Sequence, residues 1–277
     1  MGRWAAGLCV LCALSLPIRP STHLSAQQVA PNRATTYLFP TDVRDVRAVW
    51  VNPAGLGMQR EASIYAELGV AEPGSRGRLR QVNAGFNARG LSLAYQRDIL
   101  DDGQRGHTYR LGLAGGTGGL AAGFAAAHYR GDGAKATGWD LGLAYIAHPS
   151  LTVGLVAANV GQPVVRGLRQ ELIYLPSFTW HPSRIPALGF SADARLTTDS
   201  VASYAFGLSW RGLLRWPVEV IARLDTDGGL RRGAFVLGVT FGGQDRVGVI
   251  ASAPGDVSRV DGVSLYGLST REPVRRR

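Results

Sequence analysis

Residues 139–145 read Trp139-Asp140-Leu141-Gly142-Leu143-Ala144-Tyr145, with large apolar side chains at every second position and small or polar ones between them. Successive side chains of a strand point to opposite faces, so the stretch has one greasy face and one small face. The same rhythm runs outward in both directions. Leu91, Leu93 and Tyr95 alternate with Ser92, Ala94 and Gln96; Leu151, Val153 and Leu155 with Thr152, Gly154 and Val156; Tyr204, Phe206, Leu208 and Trp210 with Ala205, Gly207 and Ser209. In a soluble sandwich the face opposite the bulky one is usually charged. Here it is mostly Gly, Ala, Ser and Thr, and the charges gather in the turns. That pattern predicts an all-β fold, a closed antiparallel transmembrane β-barrel, with the apolar face towards acyl chains and the small face towards a lumen.

Strands are predicted near 61–70, 80–88, 90–99, 107–115, 119–129, 139–147, 151–160, 173–181, 187–196, 203–211, 217–225, 232–242, 246–253 and 260–269. Fourteen is an even number, as antiparallel closure of a bacterial barrel demands. Turn signals separate them, among them Ala88-Arg89-Gly90, Asp101-Asp102-Gly103, Gly131-Asp132-Gly133, His148-Pro149-Ser150, Asp227-Gly228-Gly229 and Gly242-Gly243. Pro176 and Pro182 mark 173–181 as bent or edge-like. Tyr65, Tyr95, Tyr109, Tyr129, Trp139, Tyr145, Trp180, Trp210 and Trp216 lie mostly near strand ends, where amphipathic rings suit headgroup level. No segment after residue 26 offers 18 uninterrupted apolar residues, so a spanning structure has to satisfy its backbone by closing a sheet.

Residues 1–26 read as a cleaved secretory signal: Arg3, an apolar stretch from Trp4 to Leu16 too short to span a bilayer, and Leu24-Ser25-Ala26 before Gln27. Export places the protein in the bacterial outer membrane. Both cysteines, Cys9 and Cys12, leave with that segment, and with them any disulfide, Cys zinc site or Cys nucleophile. The formal charge of +10 falls to +8 without Arg3 and Arg19. Arginines scattered through turns, with no aromatic-basic cluster, point to anionic lipid headgroups and not to nucleic acid. Residues 61–270 form the predicted barrel and 271–277 a basic tail.

Residues 27–60 differ from the rest. They lack alternation, carry Pro31, Pro40 and Pro53, and allow one or two helical turns over 42–49 with Asp42 as a cap. Their end, Asn52-Pro53-Ala54-Gly55-Leu56-Gly57, followed by ten or more strands, resembles the FadL-like superfamily of outer-membrane barrels, which includes fatty acid transporters and PorV-type proteins. A second echo is Ala158-Asn159-Val160-Gly161-Gln162-Pro163 with Leu175-Pro176 downstream. The resemblance implies an N-terminal plug inside a fourteen-stranded barrel, with Asn52, Pro53, Ala54 and Gly55 as plug and ligand-path residues. It also implies passage of a small hydrophobic ligand, or scaffolding of secretion-system or envelope proteins. Physically, Pro53 holds Asn52 extended, and the Asn side chain is suited to bonding the turn's backbone. The chain is short for a fatty acid transporter and lacks a terminal aromatic residue. A purely structural barrel or surface-protein anchor is the alternative, and an outer-membrane hydrolase the second.

Other motifs are weaker. Gly116-Thr117-Gly118-Gly119-Leu120-Ala121, with Asp140 beyond it, fits a dinucleotide fingerprint but lacks the strand-helix context. Asp225-Thr226-Asp227-Gly228 is half a calcium loop without its closing Glu. His181 with Ser183 is a local candidate for a hydrolase Ser/His pair, but beside Pro182 it reads as a strand-end turn, and no nucleophile elbow is present. No enzyme activity, cofactor or metal is expected.

Overall fold

The computed structural model describes residues 37–58, 61–71, 78–99, 105–131, 133–165, 167–212 and 217–272. The signal segment, residues 27–36, Asp101 to Gly103, Asp132, Trp216 and the tail arginines lie outside the described residues. Fourteen strands close one barrel: β1 (Ala62–Ala71), β2 (Arg78–Ala88), β3 (Leu91–Ile99), β4 (Arg105–Thr117), β5 (Leu120–Gly131), β6 (Ala134–His148), β7 (Leu151–Val160), β10 (Ile173–Trp180), β11 (Leu188–Leu196), β12 (Val201–Arg211), β13 (Val218–Asp227), β14 (Arg232–Gly242), β15 (Asp245–Pro254) and β16 (Gly262–Arg271). Two short strands, β8 (Val164–Val165) and β9 (Leu168–Arg169), form a separate hairpin between β7 and β10. Each barrel strand pairs antiparallel with its sequence neighbours, and β1 meets β16 from Ala62↔Arg271 to Ala71↔Gly262. All fourteen stretches read from alternation are wall strands. The end holding Ala62 and Arg271 is called the near rim below, and the opposite end the far rim.

Facing follows the alternation. Leu141 and Leu143 are each 49% exposed on the outer wall, whereas Ala144 is 3% exposed within. The outer wall presents Leu, Val and aromatic side chains around its circumference, the surface expected of a barrel whose solvent there is lipid. Among the described residues no helix is long and apolar enough to cross a membrane.

Three local expectations are corrected. Tyr65 and Tyr129 do not stand at headgroup level; both face the lumen and are buried, because their positions fall on the inner phase of β1 and β5. Charges do not gather only in turns, since Glu67, Asp98, Arg110, Asp140, Asp193 and Arg223 sit on strands and point inward, where they pair with neighbours. Helix α1 spans only Ala48–Val51, and Asp42 does not cap it. Asp45 does the local work instead, its Oδ1 accepting the Arg47 amide at 2.9 Å. Pro176 has the expected effect: it aligns with Leu155 of β7, but the β10–β11 ladder skips from Tyr174 to Ser177, since proline brings no N–H.

Candidate functional site: the plugged lumen

The segment 37–58 lies inside the barrel, towards the near rim. Its apolar side chains Tyr37, Val43, Val46, Val49 and Leu56 form one buried cluster with wall residues such as Tyr65, Ala125, Ile221, Ile250 and Tyr266. A second short helix, α2 (Gly55–Met58), packs against β4 and β5. The small inner face of the wall is therefore not an empty channel lining. A β-carbon at Gly142 would fall 2.1 Å from Asn52 Oδ1, one at Gly123 2.5 Å from the Pro53 carbonyl oxygen, and one at Gly207 2.1 Å from the Phe39 ring. The wall is cut back where the plug touches it.

Asn52, Pro53, Ala54 and Gly55 are all at that contact. Asn52 is fully buried. Its Nδ2 donates to the Pro40 carbonyl (3.0 Å) and to the Leu143 carbonyl of β6 (3.2 Å), and its Oδ1 accepts the Ala54 amide (3.1 Å). One amide thus closes its own turn, ties the Pro40 and Asn52 stretches of the segment together and reaches the wall. Ala54 packs on Ala121 and Ala144. Gly55 is equally confined, since a β-carbon there would meet the Val43 carbonyl oxygen at 2.2 Å.

Polar side chains fasten the rest of the segment. The Val46 amide donates to Ser63 Oγ (2.8 Å), and Thr41 Oγ1 bonds Thr179 Oγ1 (2.7 Å). Arg223 of β13 donates to the Leu38 carbonyl at 2.9 Å, stacks over Phe39 at 4.6 Å, and pairs with Asp193 and Asp225. Arg47 pairs with Asp45 at 2.7 Å, donates to the Tyr37 hydroxyl and lies over the Tyr266 ring at 5.4 Å. A cation taken out of water is tolerable only when carboxylate, hydroxyl and ring face replace its hydration. At the near rim Arg211 grips Asp42 at 3.1 Å, with His181 at 3.8 Å. Burial works against the Asp42 charge, but His181 and Arg211 outweigh it and hold the carboxyl well below the usual carboxylate range.

Glu61, just ahead of β1, goes the other way: partial burial, reinforced by the Asp45 charge, pushes it from 4.5 up to about 7. Between those values the folded chain binds more proton than the unfolded one, so stability falls as pH rises from 4.5 to about 7. The melting midpoint of the barrel is expected to decline across that window and to flatten in Glu61→Gln. An identical slope in the variant would remove Glu61 as the cause.

Above the plug, towards the far rim, the lumen wall is polar. Glu67 Oε2 accepts from the Tyr65 hydroxyl (2.9 Å) and Asn83 Nδ2 (2.7 Å), and Asp98 Oδ1 accepts from Gln81 Nε2 (2.9 Å) and Gln96 Nε2 (3.0 Å). On β4, next to the strand that carries Asp98, Arg110 bridges Asp140 (2.8 Å) and the Val49 carbonyl of α1 (3.4 Å). Asp140 Oδ1 in turn accepts the Asn159 amide (2.9 Å), and Asn159 Nδ2 donates to the Glu171 carbonyl (3.0 Å). Asn159, Gly161 and Gln162 adopt positive φ of 60°, 85° and 47°, which swings the β8–β9 hairpin inward so that Val165 packs on Ala127 and Tyr129. Sequence reading found Asn159 only as a motif echo; its link through Asp140 and Arg110 to the plug joins residues far apart in the chain.

The decoy motifs resolve into turns. Gly116 to Ala121 is the β4–β5 hairpin, and Asp227 Oδ1 accepts the Gly229 and Arg231 amides to close β13–β14. His181 Nδ1 bonds the Leu188 carbonyl, and its other nitrogen faces Asp42.

Closed wall, apolar exterior and a lumen occupied by the segment 37–58 define a β-barrel of the outer-membrane type. Its fold is shared with the toluene transporter TbuX of Ralstonia pickettii, with a TM-score of 0.51 at 12% identity over 81% of this chain and 92% of that one. Omp33 of Acinetobacter baumannii (0.49, 8% identity, 77% and 99% covered) and a FadL homologue of Pseudomonas aeruginosa (0.44, 10% identity, 83% and 94% covered) are also similar. No family model and no curated protein matches the sequence. Identities this low establish the fold alone.

Proposed function

We propose that the chain is a gated outer-membrane barrel that passes small hydrophobic molecules, its plug closing the lumen at rest. The observation that carries this reading is a shallow, open recess on the outer wall, lined by Leu91, Leu113, Gly115, Ala122 and Phe124 with Arg89 at its edge. Behind it stands the plug: Gly57 lies against the Gly115 backbone, and Pro53 against Gly123. A single layer of backbone separates lipid from Pro53 to Gly57 there. The polar wall above the plug makes the barrel axis a poor path for an apolar solute, whose transfer would have to strip water from buried carboxylates and arginines. An apolar molecule enters the recess from lipid more readily, and reaches the plug when the β4–β5 ladder behind the recess parts. The fold shared with a toluene transporter supports the same substrate class.

Gly115 offers the test. A β-carbon there meets nothing within 4 Å, so Gly115→Trp fills the recess without disturbing the fold. Uptake of toluene by cells or proteoliposomes carrying that variant is expected to drop several-fold, with the heat-modifiable gel mobility unchanged. Uptake equal to wild type would refute the lateral route. A second reading, a static scaffold for envelope or secretion proteins, is favoured by one observation: polar contacts fasten the plug to β1, β4, β6, β10, β12 and β13. A plug that never yields under any solute gradient would leave that scaffold reading standing.

A further inference from the structure

On the outer wall of β3 to β6, cross-strand partners line up into rungs that run across the strands. One outward rung is Leu91, Leu113, Phe124 and Leu141; further towards the far rim run Tyr95, Tyr109, His128 and Thr137. The next outward-facing rung is Arg97, His107, Arg130 and Lys135, four neighbours on four adjacent strands. Apolar, then aromatic, then basic is the order met on passing from acyl chains through the interface to the headgroups. Neighbouring strands are about 4.8 Å apart, so the basic rung extends about 14 Å along the wall.

No Asp or Glu occupies an outward position on these four strands. Arg130 and Lys135 are exposed, while Arg97 has a buried Nε with no hydrogen-bond partner. His107 is held upright by Tyr95, whose hydroxyl bonds its Nδ1 at 2.8 Å. The inward carboxylate beside the rung, Asp98, is engaged by Gln81 and Gln96 across the wall. Asp101, Asp102 and Asp132 of the connecting segments lie outside the described residues.

We infer that this rung is a docking site for phosphate-bearing lipid headgroups in the leaflet at the far rim. The inference rests on the membrane reading and adds to it a fixed side of the barrel and a headgroup chemistry. Headgroup phosphates meet an arginine fork, an ammonium and an imidazole at the height where the aromatic rung places the interface. Lipid held there would fasten β3 to β6, the sector whose inner face carries α2 and Arg110.

Purified protein in detergent is titrated with bis-phosphorylated lipid A, with its dephosphorylated form and with phosphatidylcholine, and bound lipid is counted by native mass spectrometry. Phosphorylated lipid is expected to be retained, and the Arg97→Gln, Arg130→Gln, Lys135→Gln triple variant to bind it roughly a hundredfold more weakly, since each cation near a charged lipid surface contributes about 1 kcal/mol. Arg231→Gln with Arg232→Gln, in the β13–β14 turn of the same rim, should bind as wild type does. Should the triple variant lose heat-modifiable mobility, the exposed Lys135→Gln alone is expected to show about a fivefold loss. Equal binding by triple variant and wild type, or by the dephosphorylated lipid, overturns the site. Displacement of the lipid by equimolar inorganic phosphate would make it a free-anion site and overturn the lipid assignment. Wild-type protein that fails to enter phosphatidylcholine vesicles at all would instead overturn the membrane reading beneath it.

Discussion

Liposomes carrying the Asn52→Ala, Pro53→Ala variant will release a trapped small solute at least several-fold faster than those carrying wild-type protein, with the β circular dichroism unchanged. Asn52 makes three hydrogen bonds within the lumen, to Pro40, Ala54 and Leu143. Truncation leaves buried carbonyl and amide partners unsatisfied, at about 1–3 kcal/mol each. Replacing Pro53 frees the preceding backbone from its extended restriction and raises the entropy of the released segment. The wall keeps its own ladders from β1 round to β16, so closure survives. Unchanged leakage, with hydrogen exchange showing residues 50–57 loosened, would end the claim that this segment seals the barrel.

Leu143→Arg will destabilise the membrane-inserted barrel by about 2–4 kcal/mol, the depth-dependent cost of an arginine on the lipid face. Leu143 stands in the middle of β6 and points outward. Next to it, Ala144 points inward against Ala54 and Ala121. Ala144→Ser exposes no charge to lipid and will cost far less. Urea unfolding in vesicles, followed by tryptophan fluorescence, reads both. Equal tolerance at the two positions would place the register, or the membrane itself, in error.

Strand number, order and facing were legible because alternation with period two is a local property. Leu141 and Ala144 reveal their faces within one stretch of seven residues, whatever lies across the barrel. The lumenal segment 37–58 was legible only as a stretch without alternation. Its partners were not, since Leu143 and Gly142 lie some 90 residues further along the chain. The small inner face was read as lumen lining; it is a fitted surface, and glycine at 142 or 207 carries no mark in sequence of the Asn52 or Phe39 it accommodates. The same holds for the charges. Arg110, Asp140 and Asn159 look unrelated in the chain, yet the register from β4 through β6 to β7 sets them in one hydrogen-bonded line.

The sequence by itself determined that this chain closes into a barrel with an apolar exterior, because every strand carries that instruction in its own side chains and a lipid-facing sheet must satisfy its backbone by closure. Only the tertiary structure decided what fills the lumen, which glycines are cut back for it, and which four basic residues share a cross-strand rung on the outer wall. Those facts depend on cross-strand register, and register is a relation between segments that no single segment encodes.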